Sequence, residues 1–347
     1  MKLKNINICE RMEHYIVAGL SIALIDKGQI NMTAGFGVLE AGTTNIVNSN
    51  SIFNACSISK FVTSMLVMKL TEQGVFDLDE DVNNRLSSWK VPENEFTQKN
   101  KVTLRRLLSH QSGVTDPDGS FAELNFTQGF PVMVDLLEGR TPYCNVPINV
   151  MYEPGSDFQY SDAGFCIIQL LIEDSFGKPF YEVMNEHIFE PLNLKNSSFP
   201  QTISKARRED FSCGHKNGKI VNVKYPIYPY PAASGLWTTP SDLAILVIEF
   251  MRSLRGESEI GLSASMAKEM INPQGCKAWT GLGVFLDGSK HEIEISSLGW
   301  GVGFQCMMVA YPYLETGAVI MTNTDLGVHQ LKSIIGEVYN SLIFFNI

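Results

Sequence analysis

A long apolar run occupies residues 61–70, where Phe61, Val62, Met65, Leu66, Val67, Met68 and Leu70 leave almost no polar face. A surface helix carries one apolar stripe, so this pattern predicts a helix enclosed by the protein, with Gly74 as its stop. Upstream, residues 19–25 and 30–38 read as two strands around the turn Asp26-Lys27-Gly28, a hairpin preceded by a helix over 6–15. Beyond Gly74 the pattern becomes helical and loop-rich, with helices over 103–109, 163–174, 181–188 and 241–252. The first of these ends in the turn His110-Gln111-Ser112-Gly113, and Asp162 and Ser241 (after Pro240) stand in capping positions for the third-last and last. From Trp279 onward alternation returns, predicting strands over 281–285, 292–296, 304–310 and 317–322 and a closing amphipathic helix over 328–343.

Strands therefore come from both ends and helices from the middle. That arrangement predicts an α+β fold, an antiparallel sheet flanked by helices. Residues 1–75 together with 276–347 would form the sheet-bearing domain and 76–275 a mainly helical inserted region, with a cleft where the two meet.

Composition narrows the function classes. The 347 residues carry a formal net charge of −10, and Arg105-Arg106 and Arg207-Arg208 read as solvated pairs, which argues against a nucleic-acid partner. The seven cysteines are odd in number, scattered and without a CxxC, so buried free thiols in a reducing compartment are expected. No HExxH occurs among the six histidines, and neither a metal nor a cofactor is expected. The apolar stretch 15–25 follows Glu10, Arg11 and Glu13, lacks a small-residue cleavage site and is too short to span a bilayer. The expected location is cytoplasmic, or exported if a leader was removed before residue 1; the oligomeric state stays open.

Candidate chemistry sits at the head of the buried helix. Ser57 and Lys60 are three apart, a spacing that puts both side chains on one helical face. A serine hydroxyl needs a base beside it to act as a nucleophile, and a lysine can serve if burial and a helix N-terminus destabilise its ammonium. The same Ser-x-x-Lys pattern recurs at Ser87/Lys90, Ser175/Lys178 and Ser265/Lys268, but only Ser57/Lys60 opens a buried helix.

In its surroundings, Ser57-Ile58-Ser59-Lys60 resembles the first motif of the serine β-lactamase and penicillin-binding-protein superfamily, in its class C and related-esterase branch. The resemblance extends through GVFDLDEDV after the helix, LLSHQSGV at 107–114, MYEPGSDFQYSDAGF at 151–165, PLNLKNSSF at 191–199, AASGLWTTPSDLA at 232–244 and GWGVGF at 299–304. It implies a β-lactamase/transpeptidase-like fold, Ser57 as the acylated nucleophile, and Lys60 and Tyr160 as the groups that handle its proton. A phenol works as a base there only if a neighbouring ammonium stabilises its anion, and Lys60 would be that neighbour. The resemblance also implies an oxyanion hole from the backbone N–H groups of Ser57 and of the glycine-rich strand, where a substrate can approach the backbone closely.

Two positions depart from the family. Asp162 stands where the second motif has Asn. If ionised near Lys60 it would raise that lysine's pKa and make it a poorer base; turned away, it would only cap its helix. Both roles stay open. The third motif, Lys-Thr-Gly or His-x-Gly in the family, is matched here by Trp300-Gly301-Val302-Gly303 as the substrate-binding and oxyanion stretch, closer to the Trp-x-Gly of the family's esterases. An indole cannot neutralise a carboxylate as lysine can. The resemblance therefore implies an acyl-enzyme serine hydrolase acting on a small-molecule ester, amide or peptide without a required carboxylate. Alternatives are a penicillin-binding protein, β-lactamase or D-alanyl peptidase with slow turnover, and a non-catalytic binding module on the same fold. An α/β-hydrolase is discounted because no Gly-x-Ser-x-Gly occurs.

Overall fold

A computed structural model describes residues 2–4, 6–204, 209–288 and 292–343. Near the N-terminus the alternating pattern closes a hairpin, β1 (Gly19–Asp26) and β2 (Gln29–Gly37). Its turn residues Lys27 and Gly28 have φ of 52° and 66°, the left-handed pair that a two-residue hairpin turn requires. The C-terminal strands are β3 (Phe285–Asp287), β4 (Glu294–Gly301), β5 (Phe304–Tyr311) and β6 (Thr316–Thr322). They join the hairpin in one antiparallel sheet of order β2-β1-β6-β5-β4-β3. The sheet thus draws two strands from one end of the chain and four from the other, with β1 and β6 as its seam.

The helices that matter for the site are α1 (Ile8–Tyr15), α2 (Ser59–Glu72), α3 (Leu104–Leu108), α4 (Asp162–Phe176), α5 (Pro231–Ser234), α6 (Pro240–Leu254) and α7 (Ile334–Asn340). Strand side chains alternate between faces. Leu20, Ile22, Leu24, Met307, Val309 and Ile320 therefore meet α1 and α7 on one face. Ala23, Ile25, Cys306, Met308, Val319 and Met321 join the larger core around α2 and α6 on the other. Every residue of α2 from Ser59 to Leu70 is buried, as its all-round apolar pattern predicts.

Several boundaries differ from the sequence expectation. Residues 281–284 are not strand, because Gly283 takes φ 76° and its missing Cβ would lie 1.9 Å from Ser64 Oγ; β3 begins only at Phe285. Helix α6 is capped by Thr239, whose side chain accepts from the Asp242 N–H, with Pro240 as the first helical residue in place of the expected Ser241 cap. The closing helix shrinks to α7, preceded by a 3₁₀ turn (Gln330–Lys332) and followed by a short strand at Leu342–Ile343 that pairs with Lys2–Leu3. Among the described residues no helix is long and apolar enough to cross a membrane. The Arg207-Arg208 pair lies outside the described residues.

Candidate active site

A 3₁₀ turn, Cys56–Ile58, runs directly into α2 and sets Ser57 one turn ahead of Lys60. The turn is held from several sides. Cys56 adopts φ 48°, unusual for a residue with a side chain, and its N–H donates to Asn54 Oδ1 at 2.8 Å. Ser59 Oγ donates to the Cys56 carbonyl at 2.6 Å and accepts from the Leu236 N–H at 3.0 Å.

Lys60 is 2% exposed. Its Nζ donates to Ser57 Oγ at 3.2 Å, to the Ala233 carbonyl of α5 at 3.0 Å and to Asp162 Oδ1 at 2.5 Å. Burial is the largest influence on this amine and pushes its pKa down, but the opposing influences, foremost the charge of Asp162, outweigh it and hold the pKa above the ordinary lysine value. Lys60 is therefore an ammonium at neutral pH, and Asp162 faces it. The capping role considered for Asp162 falls to two other residues. Ser161 Oγ accepts from the Gly164 N–H at 3.0 Å, and Asp116 accepts from the Asp162 and Ala163 N–H groups at 2.8 and 2.9 Å.

Tyr160 stands on the lip of the cleft, 36% exposed, with Lys60 Nζ 4.8 Å from its ring centroid. Enclosure raises its pKa, Lys60 pulls it down and Asp162 pushes it up again; the net is above the ordinary phenol. His110 stacks on this ring, centroids 4.2 Å apart, and its Nδ1 accepts from the Ser161 N–H at 3.1 Å. Burial, and then the Lys60 charge, hold the imidazole well below its usual pKa, so it stays neutral and keeps Nδ1 free to accept. His110 and Asp116 thus fix the Tyr160–Asp162 segment. Sequence reasoning gave neither a role, although LLSHQSGV, which contains His110, was a signal.

Beside Ser57 and Lys60 lies a narrow, partly open cleft lined further by His110, Phe158, Tyr160, Thr280, Phe285, Ser297 and Leu298. Phe158 packs edge-on against Trp279 at 4.6 Å, and Trp279 is tilted against Phe285 at 6.1 Å, so one wall is aromatic. Lys60 is the one cationic side chain among the lining residues.

The glycine-rich strand takes a different register from the one expected. Ser297 and Leu298 border the cavity, and Gly299 backs onto the nucleophile turn, where a Cβ would lie 2.3 Å from the Ala55 carbonyl oxygen. Trp300 instead projects to the surface, 47% exposed, with Nε1 donating to Asp325 Oδ1 at 2.9 Å. Gly301 packs against Tyr228, whose hydroxyl accepts the Val302 N–H at 2.8 Å. Val302 and Gly303 (φ 75°) form the β4–β5 hairpin turn, Gly303 lying against Gly214. Trp300, Gly301, Val302 and Gly303 thus do not line this cavity: glycine at every second position left the register undetermined in the sequence, and close packing of backbone against Ala55, Tyr228 and Gly214 decides it. Pairing of β3 with β4 ends at Ser296, which leaves the outer edge of β4 from Ser297 onward without a strand partner among the described residues. Among the described residues no group of His, Cys, Asp and Glu is arranged to hold a metal.

An antiparallel sheet between helical layers, with a Ser-x-x-Lys turn at its edge, defines the β-lactamase/transpeptidase-like fold. The chain belongs to the Beta-lactamase family, whose model matches residues 6–334. It is 21% identical over 324 residues to Protein flp of Staphylococcus aureus (strain MW2), covering 89% of this chain and 60% of that protein. The chain therefore spans less than two thirds of the length of that curated relative. Among solved structures, an octameric penicillin-binding protein homologue from Pyrococcus abyssi superposes with a TM-score of 0.73 at 23% identity, covering 92% of this chain and 72% of that one. A D-amino acid amidase from Ochrobactrum anthropi SV3, complexed with L-phenylalanine amide, gives 0.76 at 19%, covering 96% of each chain.

Proposed function

We propose that this chain is an acyl-transferring serine hydrolase that cleaves an uncharged ester or amide. The supporting observation is the cavity beside Ser57, which has an aromatic wall and no cationic side chain besides the already paired Lys60. A substrate carboxylate would find no counter-charge there, whereas a neutral ester or anilide would meet Phe158, Tyr160 and Phe285.

In this mechanism Ser57 Oγ bonds to the acyl carbon while its proton passes to the phenolate form of Tyr160, the general base. Collapse breaks the bond to the leaving group, which takes that proton. Water then attacks the acyl-enzyme by the same route and frees Ser57. Lys60, held as an ammonium by Asp162, stabilises the phenolate electrostatically and does not itself accept the proton. The Ser57 N–H and a backbone N–H on the unpaired edge of β4 bind the oxyanion as charge develops.

Intact mass spectrometry after exposure to a fluorophosphonate, a p-nitrophenyl ester and a chromogenic cephalosporin tests this proposal. Expected are a fluorophosphonate adduct lost in Ser57→Ala, steady p-nitrophenol release and no cephalosporin opening. A stable cephalosporin adduct without ester turnover would instead support a penicillin-binding protein, and no adduct with any reagent a binding module.

A further inference from the structure

We infer that a second cavity, beside α5 and separate from the catalytic cleft, is a binding site for a small organic ammonium ion with an apolar body, held against Glu173.

This cavity is roomier than the cleft beside Ser57 and shares none of its lining residues. Helix α5 borders both. Its Pro231 lines the cavity, while its Ala233 carbonyl accepts from Lys60 Nζ. Phe130 and Val132 line the cavity and are exposed, so it opens to solvent.

The lining favours a cation over an anion. Among the described residues, Glu173 of α4 is the one charged side chain that lines it. Five of the fifteen lining residues are prolines, which bring no backbone N–H with which to bind an anion. Glu173 itself is only half engaged. Its Oε1 accepts from Gln169 Nε2 at 3.0 Å and from the Phe180 N–H at 3.1 Å, whereas Oε2 has no hydrogen bond among the described residues. Gln169 is fixed in turn, because its Oε1 accepts the Ala232 N–H of α5 at 3.4 Å.

The electrostatics leave this carboxylate without a counter-ion. Burial raises its pKa, the two donors lower it and the neighbouring Asp174 charge raises it again, with no basic group of the described residues acting on it; the net is above the ordinary glutamate value. A partly enclosed carboxylate in that position gains from an incoming cation. An ionised carboxylate only accepts, so the open oxygen calls for an N–H donor on the ligand. Phe130, Tyr181, Phe199 and Tyr228 supply apolar contact for the rest of the molecule, and aromatic rings attract an ammonium at their faces. A neutral alcohol of the same shape keeps the apolar contact and forgoes the charge, and a carboxylate is repelled by Glu173.

Benzylamine, benzyl alcohol and benzoate share a ring and differ in charge. Their dissociation constants at neutral pH, measured by isothermal titration calorimetry, test the site. The methionine methyl NMR spectrum reports the place, since Met133 lines this cavity and not the catalytic cleft, and Met133→Leu assigns its signal. Benzylamine is expected to bind about tenfold or more tighter than benzyl alcohol, as for a hydrogen bond to a charged group. Benzoate should bind more weakly than either, and the Met133 signal should follow the benzylamine saturation curve. In Glu173→Gln, which keeps an acceptor for Gln169 and the Phe180 N–H, the amine should fall to the affinity of the alcohol. Equal affinities in the wild type, a preference for benzoate, no saturable binding of benzylamine, an unmoved Met133 signal, or an amine preference that survives Glu173→Gln would each overturn the site. If Glu173→Gln does not fold, the wild-type ratio and the Met133 signal decide. None of these measurements passes through Ser57, so their failure leaves the hydrolase reading untouched.

Discussion

Lys60 shows how one neighbour reverses a side chain's chemistry. Its burial favours loss of the proton, and the charge of Asp162 at 2.5 Å restores it. The basic partner of Ser57 must then be the phenol, whose own pKa lies above its usual value through enclosure and the nearby Asp162 charge despite the pull of Lys60. The reactive phenolate is a minor species at neutral pH, so kcat/KM for a neutral ester should climb into the alkaline range. Because the Asp162 charge raises both Lys60 and Tyr160, Asp162→Asn lowers both and should move the alkaline limb down by about one pH unit or more. A pH–rate profile checks this, and an unmoved limb would disconnect Asp162 from the proton-transfer step. Tyr160→Phe should reduce ester turnover by about a hundredfold or more; a near-native rate would take the phenol out of the mechanism. At this scale the sequence put Ser57 and Lys60 side by side, since three-residue spacing at a helix start dictates it. It left the direction of Asp162 open, because that depends on Asp116, a residue 46 positions away that takes over the capping.

Among the elements, β4 and the nucleophile turn are pressed together through glycine. At Gly299 an added methyl would sit 2.3 Å from the Ala55 carbonyl oxygen and equally close to Cys306 Sγ. Gly299→Ala should therefore cost about 1–3 kcal/mol of stability, the usual penalty of overpacking. It should also displace the edge of β4 from Ser57, so ester turnover should fall along with the urea midpoint. A folded variant with wild-type stability and turnover would show that the contact yields freely. The strands themselves were legible from alternation, and β1, β2, β5 and β6 lie close to their expected spans. The register at 299–303 was not, because glycine carries no side chain to mark a face, and the bend at 281–284 was hidden by the demand of Ser64 for space at Gly283.

For the molecule as a whole, the sheet is closed by strands from opposite ends of the chain, and α1 is tied to α7 by Arg11 Nε to Glu337 Oε2 at 2.6 Å. Two buried histidines are built into this framework. His110 Nδ1 accepts the Ser161 N–H, and His215 Nε2 accepts the Ala41 N–H while Nδ1 faces the Asn323 carbonyl at 2.9 Å. Desolvation lowers both pKa values, so a proton on either ring would evict a backbone donor. Below about pH 6.5 the unfolded chain binds protons that the folded one refuses, and stability must fall as pH falls, by up to about 1.4 kcal/mol per pH unit per histidine. Thermal unfolding should thus show a lower midpoint at pH 5.5 than at pH 7; a flat or rising midpoint would mean that the rings accept protons in place or that Asp116, Glu173 and Asp242, whose pKa values burial raises, take up enough protons on folding to outweigh them.

Local pattern was enough to determine the enclosed helix, the hairpin, the α+β class and the pairing of a hydroxyl with an amine, because spacing and periodicity act over a few residues and bring their consequences with them. The tertiary structure decided the protonation of that amine and the strand residues that border the cleft beside it. Each of these is set by contacts between segments tens to hundreds of residues apart, where burial, charge and steric fit act together and no short stretch of sequence records the outcome.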